Sequence, residues 1–316
     1  VQKGAGMNRE SENPHYPKIL FFEYAVGSGE IVDKDILEEG RLMYDTILNH
    51  FLSSGHQVTS LIDEKYYNSQ NNSSNFNVIS LNKNDDYISK IENILDEVDM
   101  ALIIAPECEN ILYELTKLIE KHKVINIGSS SKGVKIAGNK YLTYEAIKEA
   151  VKTPKTYPLK KYVIKETSGC GGAHQVLDEE YVIQEFVEGA PYSVSFIVGQ
   201  NDKIYPICLN RQYINDIYCG GEVNINHPLK EEIIKESEKA LRKIDGLNGY
   251  VGVDVLVGEE INILEINPRI TTSVCGISTD PSLGSLLVDN ALGREINFTV
   301  NVGKRFIRKE DGFEFL

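Results

Sequence analysis

Asp254, Glu265 and Asn267 have the residue types and spacing of a metal site. Asp254 interrupts the apolar run VGVDVLV, and Glu265 and Asn267 lie two apart in ILEINPR. Residues two apart in a strand face the same side, so Glu265 and Asn267 point together. If the runs pair antiparallel around the turn Gly258-Glu259-Glu260, Asp254 comes to lie beside them. Three hard oxygen donors, with coordination positions left for water and phosphate oxygens, suit Mg²⁺ or Mn²⁺. A lone strand carboxylate usually just faces solvent. Here the charges interrupt runs of Val, Ile and Leu, where an unpaired charge is costly, and this favours the metal reading.

Cationic and glycine-rich segments supply a partner for such a metal. Lys165 ends the run YVIK and is followed by Ser168-Gly169-Cys170-Gly171-Gly172-Ala173. Glycines let backbone N–H groups approach a phosphate, and a nearby lysine supplies a point charge. By itself a glycine-rich turn is more often a hairpin. Lys140 follows Gly138-Asn139 at a predicted helix start, a place for a phosphate, although alone it would mean nothing. Arg269, two residues past Asn267 and after a proline, is placed to bridge oxygens as charge develops in phosphoryl transfer. Arg211 follows a predicted strand expected beside the site. In YVIQEFVEGAPYSV, residues 181–194, a strand ending in Gln184-Glu185 meets a Gly-Ala-Pro turn; its backbone offers hydrogen bonds to an adenine edge, but a plain strand and turn is the simpler reading. No GxxxxGK[ST] loop occurs, and Gly27-x-Gly29 lacks the third glycine of a dinucleotide fingerprint.

These residues need a framework. Apolar Lys18–Tyr24, His56–Ile62, Met100–Ala105 and Val124–Ile127 read as strands. They alternate with helical spacing over Asp33–Ser54, Tyr87–Val98 and Ile111–His122, with Asp33 as N-cap and Gly55 as stop. That order predicts a parallel, Rossmann-like lobe ending near Gly128. Asn68–Asn77, rich in Asn and Ser, reads as a loop. Helices over Lys132–Ala137 and Lys140–Val151 then lead into strands at Tyr162–Lys165, Tyr181–Phe186, Tyr192–Val198 and Lys203–Leu209. A helix over Leu229–Ile244, the strand pair Gly249–Val257 and Ile261–Ile266, and a helix from near Leu283 complete the chain. The expected class is α/β with α+β, divided as a flexible leader 1–16, a Rossmann-like lobe 17–128, a small lid lobe 129–190 and a C-terminal lobe 191–316.

Composition narrows the partners. The chain has 316 residues, net charge -14 and 41% hydrophobic residues. An acidic surface repels nucleic-acid backbones and anionic lipid, so neither is expected, while a locally basic cleft can still take a small anion. No apolar run reaches the about 20 residues of a membrane helix. Five scattered cysteines without a CxxC pair fit a reducing cytoplasm.

In this order, the entry-helix lysine, strand-end lysine with glycine loop, Glu-Gly hinge, and Asp followed by Glu-x-Asn-Pro-Arg resemble the ATP-grasp superfamily over residues 18 to 295. The resemblance implies two lobes gripping ATP behind a Rossmann-like lobe. It implies Lys140 and Lys165 on phosphates, Gly169, Cys170, Gly171 and Gly172 closing over them, and Glu185, Phe186 and Val187 at adenine. Asp254, Glu265 and Asn267 would hold Mg²⁺ or Mn²⁺. Three positions depart from the family pattern. Glu166 replaces a proline after the second lysine, Gly252 replaces an arginine two residues before the metal Asp, and Pro191 stands where a ribose-binding acid is common, leaving Glu188 for that role. FFEYAVGSGE…ILEEGRLMYDTIL and LEINPRITTS resemble an archaeal branch, in methanofuran biosynthesis, that joins L-glutamate to tyramine. The activity implied is amide formation through an acyl phosphate, releasing ADP and phosphate. The partners are then small molecules, a carboxylate and an amine, with a homodimer as the one assembly considered. Alternatives are another amino-acid or peptide ligase, a small-molecule kinase, or a non-catalytic nucleotide-binding regulator.

Overall fold

The computed structural model describes residues 16–66, 74–168, 174–178, 181–200, 203–215, 217–310 and 312–316. Among them, the N-terminal lobe holds a five-stranded parallel sheet in the order β3-β2-β1-β4-β5. Its strands are β1 (Lys18–Glu23), β2 (Gln57–Asp63), β3 (Phe76–Leu81), β4 (Met100–Ile104) and β5 (Ile125–Asn126). A short helix α1 (Tyr24–Gly27) precedes the crossover helices α2 (Lys34–Ser53), α3 (Tyr87–Leu95) and α4 (Ile111–His122). β1 is apolar almost throughout because both faces are covered. Ile19 and Phe21 share a core with Met43, Ile47 and Phe51 of α2. Leu20 and Phe22 pack with Ile91 and Ile94 of α3 and Leu112 and Leu115 of α4. Strand order reverses between β1 and β4, and in open sheets ligands bind in the crevice beyond the carboxyl ends at such a point. Glu23 ends β1 there, and Glu107 follows β4 by three residues.

Two local expectations change. Asp33 stands at the N-cap of α2 but its side chain makes no capping hydrogen bond. Gly55 does end that helix, in the left-handed region at φ 81. β3 begins at Phe76, inside the stretch read as loop, because Phe76, Val78 and Leu81 turn toward the core while its Asn and Ser residues lie between them. Residues 1–15 of the leader lie outside the described residues.

Two capped helices lead out of this lobe. In α5 (Ser131–Ala137) Ser130 accepts from the Gly133 N–H, and in α6 (Lys140–Ile147) Asn139 accepts from the Leu142 N–H at 3.0 Å, so Lys140 is the first residue of its helix. β6 (Thr156–Pro158) pairs with β9 (Val182–Gln184), and β7 (Lys161–Lys165) pairs with β8 (His174–Asp178) as a hairpin with β7 wholly exposed.

The C-terminal lobe is an antiparallel sheet in the order β14-β13-β10-β11-β12-β17-β18 among the described residues. Its strands are β10 (Ala190–Val198), β11 (Ile204–Asn215), β12 (Ile217–Glu222), β13 (Gly249–Val257), β14 (Ile261–Asn267), β17 (Arg305–Lys309) and β18 (Gly312–Phe315). The small ribbon β15 (Thr279–Asp280) and β16 (Thr299–Val300) lies apart from it. Alternation sorts the two faces of this sheet. Tyr192, Val194, Val253, Val255 and Leu209 bury one face against α6 and α7 (Lys230–Leu241). The opposite face carries Ser193, Ser195, Asn210, Gln212 and Asp254 and turns toward α2, α8 (Leu283–Ala291) and the 3-10 turn Thr272–Gly276.

Candidate active site

The register pairs Asp254 directly with Glu265, and Gly252 with Asn267. A bulge follows, so Val255 pairs with Ile263 and Leu264 becomes the extra residue. Asp254 Oδ2 accepts from Asn267 Nδ2 at 3.0 Å, and Oδ1 accepts from Gln212 Nε2 at 3.0 Å. Glu265 Oε2 accepts from Lys140 Nζ, which reaches across from the start of α6. Burial pushes the Asp254 carboxyl above its ordinary range, while the Asn267 and Gln212 amides and the cations Lys140 and Arg269 pull it back. Among the described residues no three His, Cys, Asp or Glu side chains cluster as metal ligands. The set is two facing carboxylates plus the Asn267 amide, which donates to one of them. These hard donors fit Mg²⁺ or Mn²⁺ sharing its shell with phosphate oxygens.

Arg269 is held by Glu107. Its Nε donates to Glu107 Oε1 at 2.8 Å, Nη2 donates to Oε2 at 3.0 Å, and Nη1 donates to the Ile270 carbonyl at 3.2 Å. Its charge acts on both Asp254 and Lys140. Arg211 is not part of this group, which corrects the expectation from sequence. It is one residue out of phase with Asn210 and Gln212, so it shares the face of its register partner Tyr192 and sits by the Tyr213 ring.

Below the metal-type pair lies a buried polar network. Asn210 Nδ2 donates to Ser195 Oγ at 3.0 Å, Ser195 contacts Tyr250 Oη at 2.8 Å, and Tyr250 contacts Thr271 Oγ1 at 3.0 Å. Gly252 has a steric reason: a Cβ there would lie 2.7 Å from Thr271 Cγ2. Thr272 donates to Glu39 of α2 at 2.7 Å, and Arg308 of β17 holds both Glu39 and Asp35.

Glu23 is buried at the base of the crevice, accepting from the Val26 N–H at 2.9 Å. Gly40 of α2 packs bare backbone against it; a Cβ there would lie 2.7 Å from Oε1. Burial pushes the Glu23 carboxyl up to about 7, against the pull of backbone N–H groups and Arg269. A raised carboxyl favours the folded state below its unfolded value of 4.5 and loses that contribution as pH rises through about 7. Glu23→Gln removes the penalty of burying the charge. Its melting temperature relative to the parent should therefore rise between pH 5 and pH 8, by an amount equivalent to about 2–3 kcal/mol. Parallel melting curves for the two proteins across that range would contradict this.

Gly169, Cys170, Gly171 and Gly172 fall outside the described residues. Lys165 is exposed at the end of β7 opposite His174, and no described hydrogen bond or ion pair joins it to Asp254, Glu265 or Lys140. Glu185 is fixed at the strand end: its N–H donates to the Lys155 carbonyl at 2.8 Å, and its carboxylate accepts from the Lys155 N–H at 3.3 Å. Glu185 and Val187 line a cavity of about 360 Å³. Phe186 is 87% exposed, and the Glu188 carbonyl abuts the Gly258 turn. Sequence reading missed Gln212, Glu107, Glu39 and Arg308. Gln212 had a signal, a second amide two residues after Asn210 in a strand; Glu107 had none, because its partner lies 162 residues away.

Residues 137–273 match the ATP-grasp domain, and residues 56–134 match the pre ATP-grasp 3 domain. The chain is similar to the tyramine–L-glutamate ligase of Methanocaldococcus fervens, 54% identical over 291 residues, covering 91% of this chain and 98% of that one. It is 51% identical over 292 residues to the tyramine–L-glutamate ligase of Methanocaldococcus jannaschii, covering 91% and 93%. A solved structure, a putative ATP-grasp superfamily protein from Archaeoglobus fulgidus, superposes with TM-score 0.73 at 28% identity, covering 95% of this chain and 99% of that one.

Proposed function

The chain belongs to the tyramine–L-glutamate ligase family of ATP-grasp enzymes, and from that membership we propose that it joins the γ-carboxylate of L-glutamate to the amine of tyramine. A carboxylate resists attack because its charge repels an amine and oxide leaves poorly. ATP overcomes this by converting it to an acyl phosphate. Phosphoryl transfer asks a protein for positioning and charge neutralisation rather than for covalent help.

The observation that carries this reading is the convergence of Lys140 on Glu265 while Glu265 faces Asp254 across one strand pair. Lys140 and Arg269 would neutralise phosphate oxygens, with Lys165 reaching in from the lid hairpin. Glu185, Phe186 and Val187 would line adenine, and Glu188 would take the ribose. Asp254, Glu265 and Asn267 would hold Mg²⁺ or Mn²⁺, which when bound offsets phosphate charge. Gly169 to Gly172 would exclude water from the acyl phosphate. Arg269 would steady the reacting carboxylate as its charge is redistributed. The amine then attacks the acyl carbon, and phosphate departs and takes the surplus proton. Residues 17–128 would form the substrate-facing lobe, 129–190 the lid, and 191–316 the catalytic lobe.

The test is product analysis with ATP, Mg²⁺, L-glutamate and tyramine. The expected products are γ-glutamyltyramine, ADP and phosphate in equal amounts. AMP and pyrophosphate would point to adenylate chemistry and overturn the mechanism. A phosphate ester without amide would point to a kinase.

A further inference from the structure

Arg269, which the ligase reading sets against the reacting carboxylate, lies two residues past the end of β14, and its own segment supplies one acceptor, the Ile270 carbonyl. The constraint comes from the other lobe. Glu107 takes two of its five N–H groups in a side-on bidentate pair and the Ile270 carbonyl takes a third, so two N–H groups remain. A bidentate fork fixes direction as well as charge. The pair is mostly shielded from solvent, with side chains 24% and 20% exposed for Arg269 and Glu107.

Glu107 is itself held firmly. It follows β4 at the point where the N-terminal sheet reverses strand order. Its stem packs under the end of α5, where a Cβ on Gly138 would lie 3.1 Å from Glu107 Cγ. Glu109 and Asn110 both adopt left-handed backbone, at φ 54 and φ 60, a conformation that non-glycine residues hold only when their surroundings enforce it. The Leu112 N–H then ties the segment back to the Pro106 carbonyl at 3.0 Å. A rigid, locally strained segment thus carries a carboxylate across to the arginine of the catalytic sheet.

The two cations of the site also differ in what their carboxylate partners can do. Lys140 is paired with Glu265, a proposed metal ligand, and must exchange partners when metal and nucleotide enter. Glu107 is not one of the proposed metal ligands; its charge also acts on Lys140, but its hydrogen bonds go to Arg269.

We propose that Glu107 is a positioning residue for the ligase reaction: from the N-terminal lobe it sets the plane of Arg269, so that the two remaining N–H groups face the reacting carboxylate. This rests on the ligase reading above. Removing the Glu107 charge should not weaken carboxylate binding, because a negative group near an anion is lost. It should instead slow the chemical step, because the guanidinium can then swing.

Steady-state kinetics of the parent, Glu107→Gln, Glu107→Asp, Arg269→Lys and the Glu107→Gln/Arg269→Lys double variant test this, alongside thermal melts. Glu107→Gln should lower kcat about 10–100-fold, the order of loss for a misplaced group, with KM for L-glutamate not raised. Glu107→Asp keeps the charge but is one methylene short, so kcat should also fall with KM unchanged; this variant decides the matter should the Gln protein melt early. The double variant should be no slower than Arg269→Lys alone, since Glu107 acts through Arg269. A parental kcat in the Glu107 variants, a raised KM at constant kcat, or multiplying losses in the double variant would overturn the proposal. Absence of amide from the parent enzyme would instead sink the ligase reading, and this proposal with it.

Discussion

Glu265→Gln should reduce amide formation by about 10³-fold or more while the protein melts within a few degrees of the parent. The two expectations rest on different parts of the structure. Glu265 supplies one of the two carboxylates that face each other across β13 and β14. Replacing it with an amide halves the negative charge available to a divalent cation and leaves Lys140 without its ion pair. The Glu265 side chain is 31% exposed, so the ion pair adds little to stability and the fold does not depend on it. The measurement is ADP release with glutamate and tyramine, paired with a thermal melt. Near-parental turnover would remove the metal assignment, and a lost fold would make the variant uninformative, in which case Asp254→Asn serves the same purpose.

Lys140→Met should act with two opposite signs. Lys140 carries a positive charge to Glu265 and also acts electrostatically on Asp254. Without it, two carboxylates face each other with no nearby ammonium. Divalent-ion binding in the absence of nucleotide should therefore tighten, by about tenfold or 1.4 kcal/mol. Use of ATP should suffer, because the lysine proposed to meet the phosphates is gone: kcat/KM for ATP should fall about 10²–10³-fold, by analogy with loss of one preorganised charge at a reacting centre. Mn²⁺ titration calorimetry reads the first effect and initial rates read the second. Weaker Mn²⁺ binding in the variant would mean that Lys140 organises the acidic pair rather than competing with the ion. In Glu265→Gln the Mn²⁺ affinity should fall, so the two variants form an internal contrast of sign.

Much of the framework was legible because its signals are local. Apolar runs over 18–23 and 100–104 become β1 and β4, and helical spacing over 111–122 becomes α4. The strand pair around Gly258–Glu260 follows from two apolar runs and a turn, and a period of two carries Asp254, Glu265 and Asn267 to one face. The same rule, applied to β11, would have excluded Arg211 and found Gln212, had the strand been extended past Leu209 to Asn215. β12, β17 and β18 escaped notice because they are short, with two glycines in β12 and three charges in β17, and they become strands by completing the edge of an existing sheet.

The sequence by itself determined which residues share a strand face and where helices begin, since both follow from periods of a few residues. It therefore set the acidic pair and put Lys140 at the start of α6. Tertiary structure decided the partners: Glu107 for Arg269, Glu39 and Arg308 around Thr272, and the burial that raises Glu23. Those contacts join residues more than a hundred positions apart or depend on how a whole lobe excludes water. No local period encodes either, because direction and solvent exposure are fixed only when separate elements pack together.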